Sequence, residues 1–267
     1  MKAIRVVFAA ILFAAAGLLT PAWATSVTTD QSDVWSVPGE EGWGFQIVQR
    51  DSVIFVTMYV YDPTHIPIWY TATLNYLGNF VWTGDLYLTN GPWFGTVPFN
   101  PNAVGYRKVG SMTWTAPTIT AGTVRYDVDG VFVVKNATRL LLRYDDFSGH
   151  YGGLIHTTAT GCLNPALNGT AESIGILNIA QNVQSIAIGV FPTTGGSCSY
   201  GGTLTQAGQM GAVNGSYVCS DGETGSFQIF EMQVNITGVT GRFAAASNTL
   251  AGCRENGWFG GINVTTF

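Results

Sequence analysis

The stretch CSYGGTLTQAGQMGAVNGSYVC, residues Cys198–Cys219, is a hairpin written in sequence. Two runs that favour strands, 197–207 and 210–220, flank Gly208-Gln209. Glycine at the first central position of a two-residue loop suits a type II′ turn, whose twist matches paired antiparallel strands. Counting outward from the hydrogen-bonded pair Ala207/Met210 brings Cys198 opposite Cys219 at a non-hydrogen-bonded position. Side chains approach most closely there, within the range a disulfide accepts. The remaining cysteines, Cys162 and Cys253, then pair with each other. That second bridge ties the first segment of the cysteine-bearing half to its last strand, and closing so long a loop contributes ~4 kcal/mol on the chain-entropy account.

Outward from this hairpin the same grammar continues. Runs rich in Val, Ile, Thr and aromatic residues recur between turn signals at 173–179, 184–191, 225–236, 240–247 and 257–266, the signature of an antiparallel all-β chain. Upstream, eight runs are expected at 43–50, 53–61, 67–75, 80–88, 93–98, 104–115, 119–128 and 131–143. Asp62-Pro63 fits the start of a type I turn. Asn90-Gly91 and Asp129-Gly130 suit tight turns that need positive φ. The expected fold is therefore an eight-stranded antiparallel meander, a barrel or a sandwich, followed by a smaller disulfide-stapled β-meander. The strand 53–61 is apolar on both faces (Ile54, Val56, Met58, Val60 against Phe55, Tyr59, Tyr61), which predicts a central strand covered on both sides. Asp145 to Cys162, with Gly149, Gly152 and Gly153, reads as the break between the two units.

The first residues read as an export signal. Lys2 and Arg5 precede an uncharged apolar run, Val6 to Leu19, and Ala22-Trp23-Ala24 supplies a small-x-small cleavage pattern. The organisation expected is a signal peptide over 1–24, an aromatic-rich β domain over 25–147 and a four-cysteine β domain over 148–267. Export and cysteine pairing agree, since disulfides persist in oxidising compartments such as the periplasm or the extracellular space. No later stretch reads as a membrane-spanning helix. An outer-membrane strand ending in Phe267 would keep apolar residues in phase with it, whereas Thr265, Asn263 and Gly261 occupy those positions.

Charged residues make up 10% of the 267-residue chain, with 11 Lys and Arg against 16 Asp and Glu. An acidic chain without a basic run excludes nucleic acid as the expected partner. Metal chemistry is not expected either, because there is no Cys-x-x-Cys and no histidine beyond His156. No cofactor motif and no nucleophile elbow is present, and His65, His150 and His156 have no nucleophile beside them. Aromatic residues crowd the first half. Trp43, Tyr59, Trp69 and Trp82 are the candidate ligand-binding residues, with Glu41 beside Trp43 as a polar partner, because rings with an apolar face and a polar edge suit sugars or flat apolar molecules. Glu40 or Glu41 with Asp62 or Asp85 offers the alternative of a glycan hydrolase, which needs two carboxyls.

Several segments resemble a β module of uncharacterised exported proteins of proteobacteria, with a pattern near P-x-E-x-G-x-G-F … Y-D-x-x-G-x-P-x-W-Y. They are Pro38–Gln46, Val60–Asp62, Pro67–Tyr70, Gly84–Leu86 and Gly91-Pro92, then Tyr126, Asp129-Gly130, Lys135 and Arg139. Ser148–Gly153, the four cysteines, Tyr200, Gln206, Gly208, Tyr217 and Gly241–Phe243 resemble the tail of the same proteins. The chain departs from the pattern where His65-Ile66 replaces the usual glycine of the turn. The resemblance implies architecture and export but no catalytic residue. Tyr217–Gly222 also resembles a short piece of exported bacterial lysozyme inhibitors. The expected function is thus an exported binding or envelope-associated protein whose partner is a glycan, a small apolar molecule or an envelope protein. A hydrolase and a protein-interaction module are the alternatives.

Overall fold

A computed structural model describes residues 28–264; the expected signal peptide and the terminal Phe267 lie outside the described residues. The described chain forms two closed antiparallel barrels in succession, each of eight strands. The first comprises β1 (Asp33–Ser36), β2 (Gly44–Arg50), β3 (Val53–Tyr61), β4 (Pro67–Gly78), β5 (Val81–Asn90), β6 (Gly105–Thr115), β7 (Ala121–Val128) and β8 (Val131–Arg139). The second comprises β9 (Gly149–Thr160), β10 (Gly169–Asn182), β11 (Ser185–Pro192), β12 (Cys198–Ala207), β13 (Met210–Cys219), β14 (Thr224–Asn235), β15 (Gly238–Ser247) and β16 (Arg254–Asn263). Each strand pairs with the next, β1 closes on β8, and β9 closes on β16. Closure leaves no unpaired sheet edge and settles barrel over sandwich.

The β12–β13 hairpin has the register read from its loop, Ala207 opposite Met210 through Cys198 opposite Cys219, and Gly208 sits at φ +55° as the turn requires. Both disulfides form, Cys198–Cys219 and Cys162–Cys253, with Cα separations of 3.9 and 4.0 Å. They lie at the same end of the second barrel.

Three expectations about strands are corrected. Residues 93–98 are not a strand but part of the connection from β5 to β6; Pro92, Pro98 and Pro101 remove the ladder donors a strand needs. The eighth strand is instead β1, too short to show an alternation yet the piece that closes the barrel. Residues 149–160 form β9, so the second unit has eight strands rather than seven and closes. Its glycines looked like a break but allow close approach: a Cβ on Gly153 would lie 2.0 Å from Gly260 O.

Inward-facing residues fill the first barrel. Trp35, Phe45, Trp82 and Trp114 are fully buried with Ile54, Met58, Leu74 and Leu86, each such side chain stabilising the fold by ~1.5–3 kcal/mol. Trp114 packs edge-on to Trp35 (4.7 Å between centroids) and to Phe45 (5.4 Å). Gln31 closes this cluster, its carbonyl accepting from Trp35 Nε1 (3.0 Å) and its Oε1 from Trp114 Nε1 (3.3 Å). The expectation that β3 is covered on both faces fails. Ile54, Val56 and Met58 point into the core, whereas Phe55, Tyr59 and Tyr61 are about half exposed on the outside.

The β12–β13 turn also docks the barrels together. Gln209 N–H donates to Asp33 Oδ2 (3.1 Å), and Gly208 lies so close that a Cβ there would be 2.1 Å from the same oxygen. Arg139, its side chain fully buried, bonds Asp33 Oδ2 (3.0 Å), Ile119 O (2.6 Å), Ser32 O (3.2 Å) and Asp30 O, and its guanidinium lies 4.8 Å above the Trp35 ring. A bulge in β14 places Glu231 at φ +57°, where its carboxylate accepts from Thr29 Oγ1.

Candidate functional site

Period-two alternation decides which aromatic residues meet the core and which meet solvent. Trp82 points inward and is fully buried, so the structure separates it from the other candidates. Among the described residues its Nε1–H has no hydrogen-bond partner. Trp43 sits half-buried at the barrel end, packed against the core, and donates from Nε1 to Glu40 Oε2 (3.0 Å).

Tyr59 and Trp69 face outward. The register runs Ser36 to Gly44 to Tyr59 to Trp69 across β1–β4. It continues through Thr89, whose hydroxyl accepts from Trp69 Nε1 (3.3 Å), to Tyr106 on β6. Tyr59, Trp69 and Tyr106 are 50, 55 and 78% exposed, and Tyr87 stands edge-on to Tyr106 with centroids 6.0 Å apart. The parallel row one step along the strands is polar: Gln46, Thr57, Thr71, Tyr87 and Lys108. Lys108 Nζ pairs with Asp85 Oδ1 at 2.7 Å.

Gly44 is the reason this face is accessible on its other flank. With no side chain between Ser36 and Tyr59, an open groove of about 450 Å3 forms there, lined by Pro38, Glu41, Trp43, Tyr59 and Leu140. Four of the five expected site residues, Glu41, Trp43, Tyr59 and Trp69, thus lie on one continuous surface.

Sequence reading did not select Tyr106 or Lys108. Strict alternation from the inward Met112 and Trp114 would turn both of them inward. The register shift between β5 and β6 at Leu86/Tyr87 inserts Val109 and flips Tyr106 and Lys108 to the outside. A bulge of this kind leaves no mark in a single sequence.

Three of the four carboxylates considered for hydrolysis are engaged otherwise. Lys135 Nζ bonds Glu40 Oε1 at 2.6 Å and holds Glu40 below its ordinary pKa. Asp62 accepts from the hydroxyl and N–H of Thr64 and from the N–H of Ile66, a turn-fixing role that lowers its pKa as well. The hydrogen bond from Lys108 lowers Asp85. A glycosidase acid is raised, so that it carries a proton near neutrality; these three are tuned the opposite way. His65 is exposed in its turn, His150 bonds Asn178 at 2.6 Å, and His156 stacks on Trp258 at 5.4 Å.

All four cysteines are consumed in the disulfides. Among the described residues no group of three or more His, Cys, Asp or Glu is placed to hold a metal ion, and no helix is long and apolar enough to cross a membrane. The chain matches no protein-family model and no curated protein sequence.

Proposed function

We propose that the chain is an exported glycan-binding protein whose site is the outer aromatic face of the first barrel. The observation that carries this reading is the row Gly44–Tyr59–Trp69–Thr89–Tyr106. Its rings are exposed while the inward neighbours Phe45 and Met58 are fully buried and Val60, Tyr70 and Leu88 are partly buried against the core, and the next row offers hydroxyls, an amide and the Asp85–Lys108 pair. Neighbouring strands are ~4.8 Å apart. Tyr59 and Trp69 stand directly opposite each other on adjacent strands, and Tyr106 stands ~10 Å further round, the scale of a disaccharide repeat. Sugar rings would lay their apolar faces on these aromatics while the flanking polar groups meet their hydroxyls. The disulfides fit an oxidising compartment outside the cytoplasm.

Titration of the oxidised protein with oligosaccharides of increasing length, cell-wall fragments included, tests the reading through tryptophan fluorescence. Trp69→Ala and Tyr59→Ala should each weaken binding about tenfold, a loss of ~1.4 kcal/mol, while far-UV circular dichroism stays unchanged because both side chains are half exposed. Unaltered affinity in both variants would refute the assignment.

A second reading, docking to an envelope partner, is favoured by the 91–104 connection. It carries no charge and leaves Trp93, Phe94 and Val97 69, 86 and 91% exposed. Exposed apolar patches of this kind mark interaction surfaces. A pull-down from envelope extract that is lost on Phe94→Ser but kept in Trp69→Ala would favour it. Inhibition of lysozyme tests the interaction reading of Tyr217–Gly222.

A further inference from the structure

The interior of the second barrel is not completely filled. A cavity of about 70 Å3 remains near the disulfide-bearing end, walled by Ile155, Ile188, Tyr200, Phe243 and Phe259, with Glu255 as its one carboxyl-bearing lining residue. Glu255 is turned inward by the alternation of β16, two residues from Gly257 and four from the buried Phe259, while its neighbour Arg254 is exposed. The second carboxyl at this mouth, Glu223 in the β13–β14 turn, accepts from Tyr217 Oη at 2.8 Å. No cation pairs with Glu255 among the described residues. Tyr200 stacks on Tyr217 (5.3 Å) and meets Phe227 edge-on (5.1 Å), so aromatic faces line the approach to the carboxyl.

We propose that this cavity binds a small organic ammonium ion, its apolar body held among the aliphatic and aromatic walls and its charge at Glu255. Three features select that class. The walls are apolar and reject a polar body. The single inward carboxyl lacks the positive partner that half-buried charges ordinarily have. Ring faces of tyrosine and phenylalanine attract cations. Size limits the body: a cavity of ~150 Å3 takes benzene, so the space here fits a short alkyl group. The ligand can equally be a free amine or a lysine side chain of a partner protein, since both present an alkyl chain ending in an ammonium. This site is separate from the aromatic face of the first barrel and stands or falls without it.

Isobutylammonium is the probe, with isobutanol as its uncharged counterpart of the same shape. Each is titrated into the oxidised full-length protein while the isoleucine methyl resonances are followed by NMR. Saturable shifts at Ile155 and Ile188 with isobutylammonium, at least about tenfold tighter than with isobutanol, are the expected result. Glu255→Gln should abolish that preference and leave the two probes equal. Equal affinity of the wild-type protein for both probes, or no saturable shift with either, would overturn the proposal without recourse to any variant. A preference that survives Glu255→Gln would overturn it too. A lysine-bearing peptide that displaces isobutylammonium would identify a protein partner as the source, and its failure to do so would point to a free amine.

Discussion

Replacing Arg139 by Met removes the cation around which the two barrels meet. In the native protein its guanidinium has no exposure, Asp33 opposite has 10%, and bonds run to Ile119 O, Ser32 O and Asp30 O. Burial pulls the Arg139 pKa below its usual value, partly offset by Asp33; the group stays charged in any accessible pH range. Breaking a buried pair by removing one partner costs about 3–5 kcal/mol. Asp33 would keep the N–H groups of Val34 (2.9 Å) and Gln209 (3.1 Å), which places Arg139→Met at the lower end, ~3 kcal/mol. Adding Asp33→Asn removes the stranded charge. The double variant should therefore lose less than the sum of the single ones, with a coupling of ~1–3 kcal/mol. Urea unfolding followed by tryptophan fluorescence and by circular dichroism reads both quantities. Trp35 lies directly under the guanidinium, and Trp258 is the one tryptophan in the second barrel. In Arg139→Met the fluorescence midpoint should fall below the dichroism midpoint, because the bonds lost, to Asp33, Ile119, Ser32 and Asp30, all lie in the first barrel, which holds most of the tryptophans. A loss below about 1 kcal/mol, the range of an exposed pair, would refute the claim that this cation fixes the Asp30–Asp33 segment on which the second barrel's turn docks.

Burial, then the nearby Glu223, raises the Glu255 pKa above its usual 4.5. A group raised on folding contributes stability below its unfolded pKa and loses it as pH rises through the folded value, so Glu255→Gln should stabilise the protein at pH 7 and give no advantage at pH ~4; an advantage independent of pH would contradict the burial of its charge. Loop-closure entropy assigns ~3.4 kcal/mol to the bridge of sequence separation 21 and ~4.6 kcal/mol to that of separation 91. Paired Cys→Ala variants compared by urea midpoint should thus show the Cys162–Cys253 loss to be the larger, and the reverse order would implicate native packing instead. Trp82→Phe should cost less than Trp114→Phe in the same assay. The first discards an N–H that has no partner among the described residues and the second strands Gln31 Oε1, an unsatisfied buried group being worth ~1–3 kcal/mol. Equal losses would mean that indole volume alone sets both.

The β12–β13 hairpin was legible because everything that fixes it is local. A two-residue glycine turn dictates the register, and the register alone brings Cys198 to Cys219. That Trp43, Tyr59 and Trp69 lie near one another was legible because aromatic residues clustered on neighbouring strands are close in any meander, and Glu41 is two residues from Trp43. Trp82 was grouped with Trp69 on residue type alone, although alternation separates them: Trp82 shares its face with Leu86 and Leu88, whereas Trp69 shares its face with Thr71, Thr73 and Asn75. β9 was hidden by its glycines, whose purpose, approach to the backbone of β16, exists only between strands distant in sequence.

The sequence by itself determined the all-β class, the turns at Asp129-Gly130 and Gly208-Gln209 and the pairing of the cysteines, because turn chemistry and strand alternation act over a few residues; Asn90-Gly91, expected as a tight turn, instead opens the long connection from β5 to β6. Tertiary structure alone decided closure into two barrels, the outward flip of Tyr106 and Lys108 at the bulge and the burial of Arg139 between the domains. It alone also turned Glu255 into the second barrel, with no cation paired to it among the described residues. Each of these depends on which distant strands become neighbours, and the free energy that selects them is the joint burial of the two cores rather than any local preference.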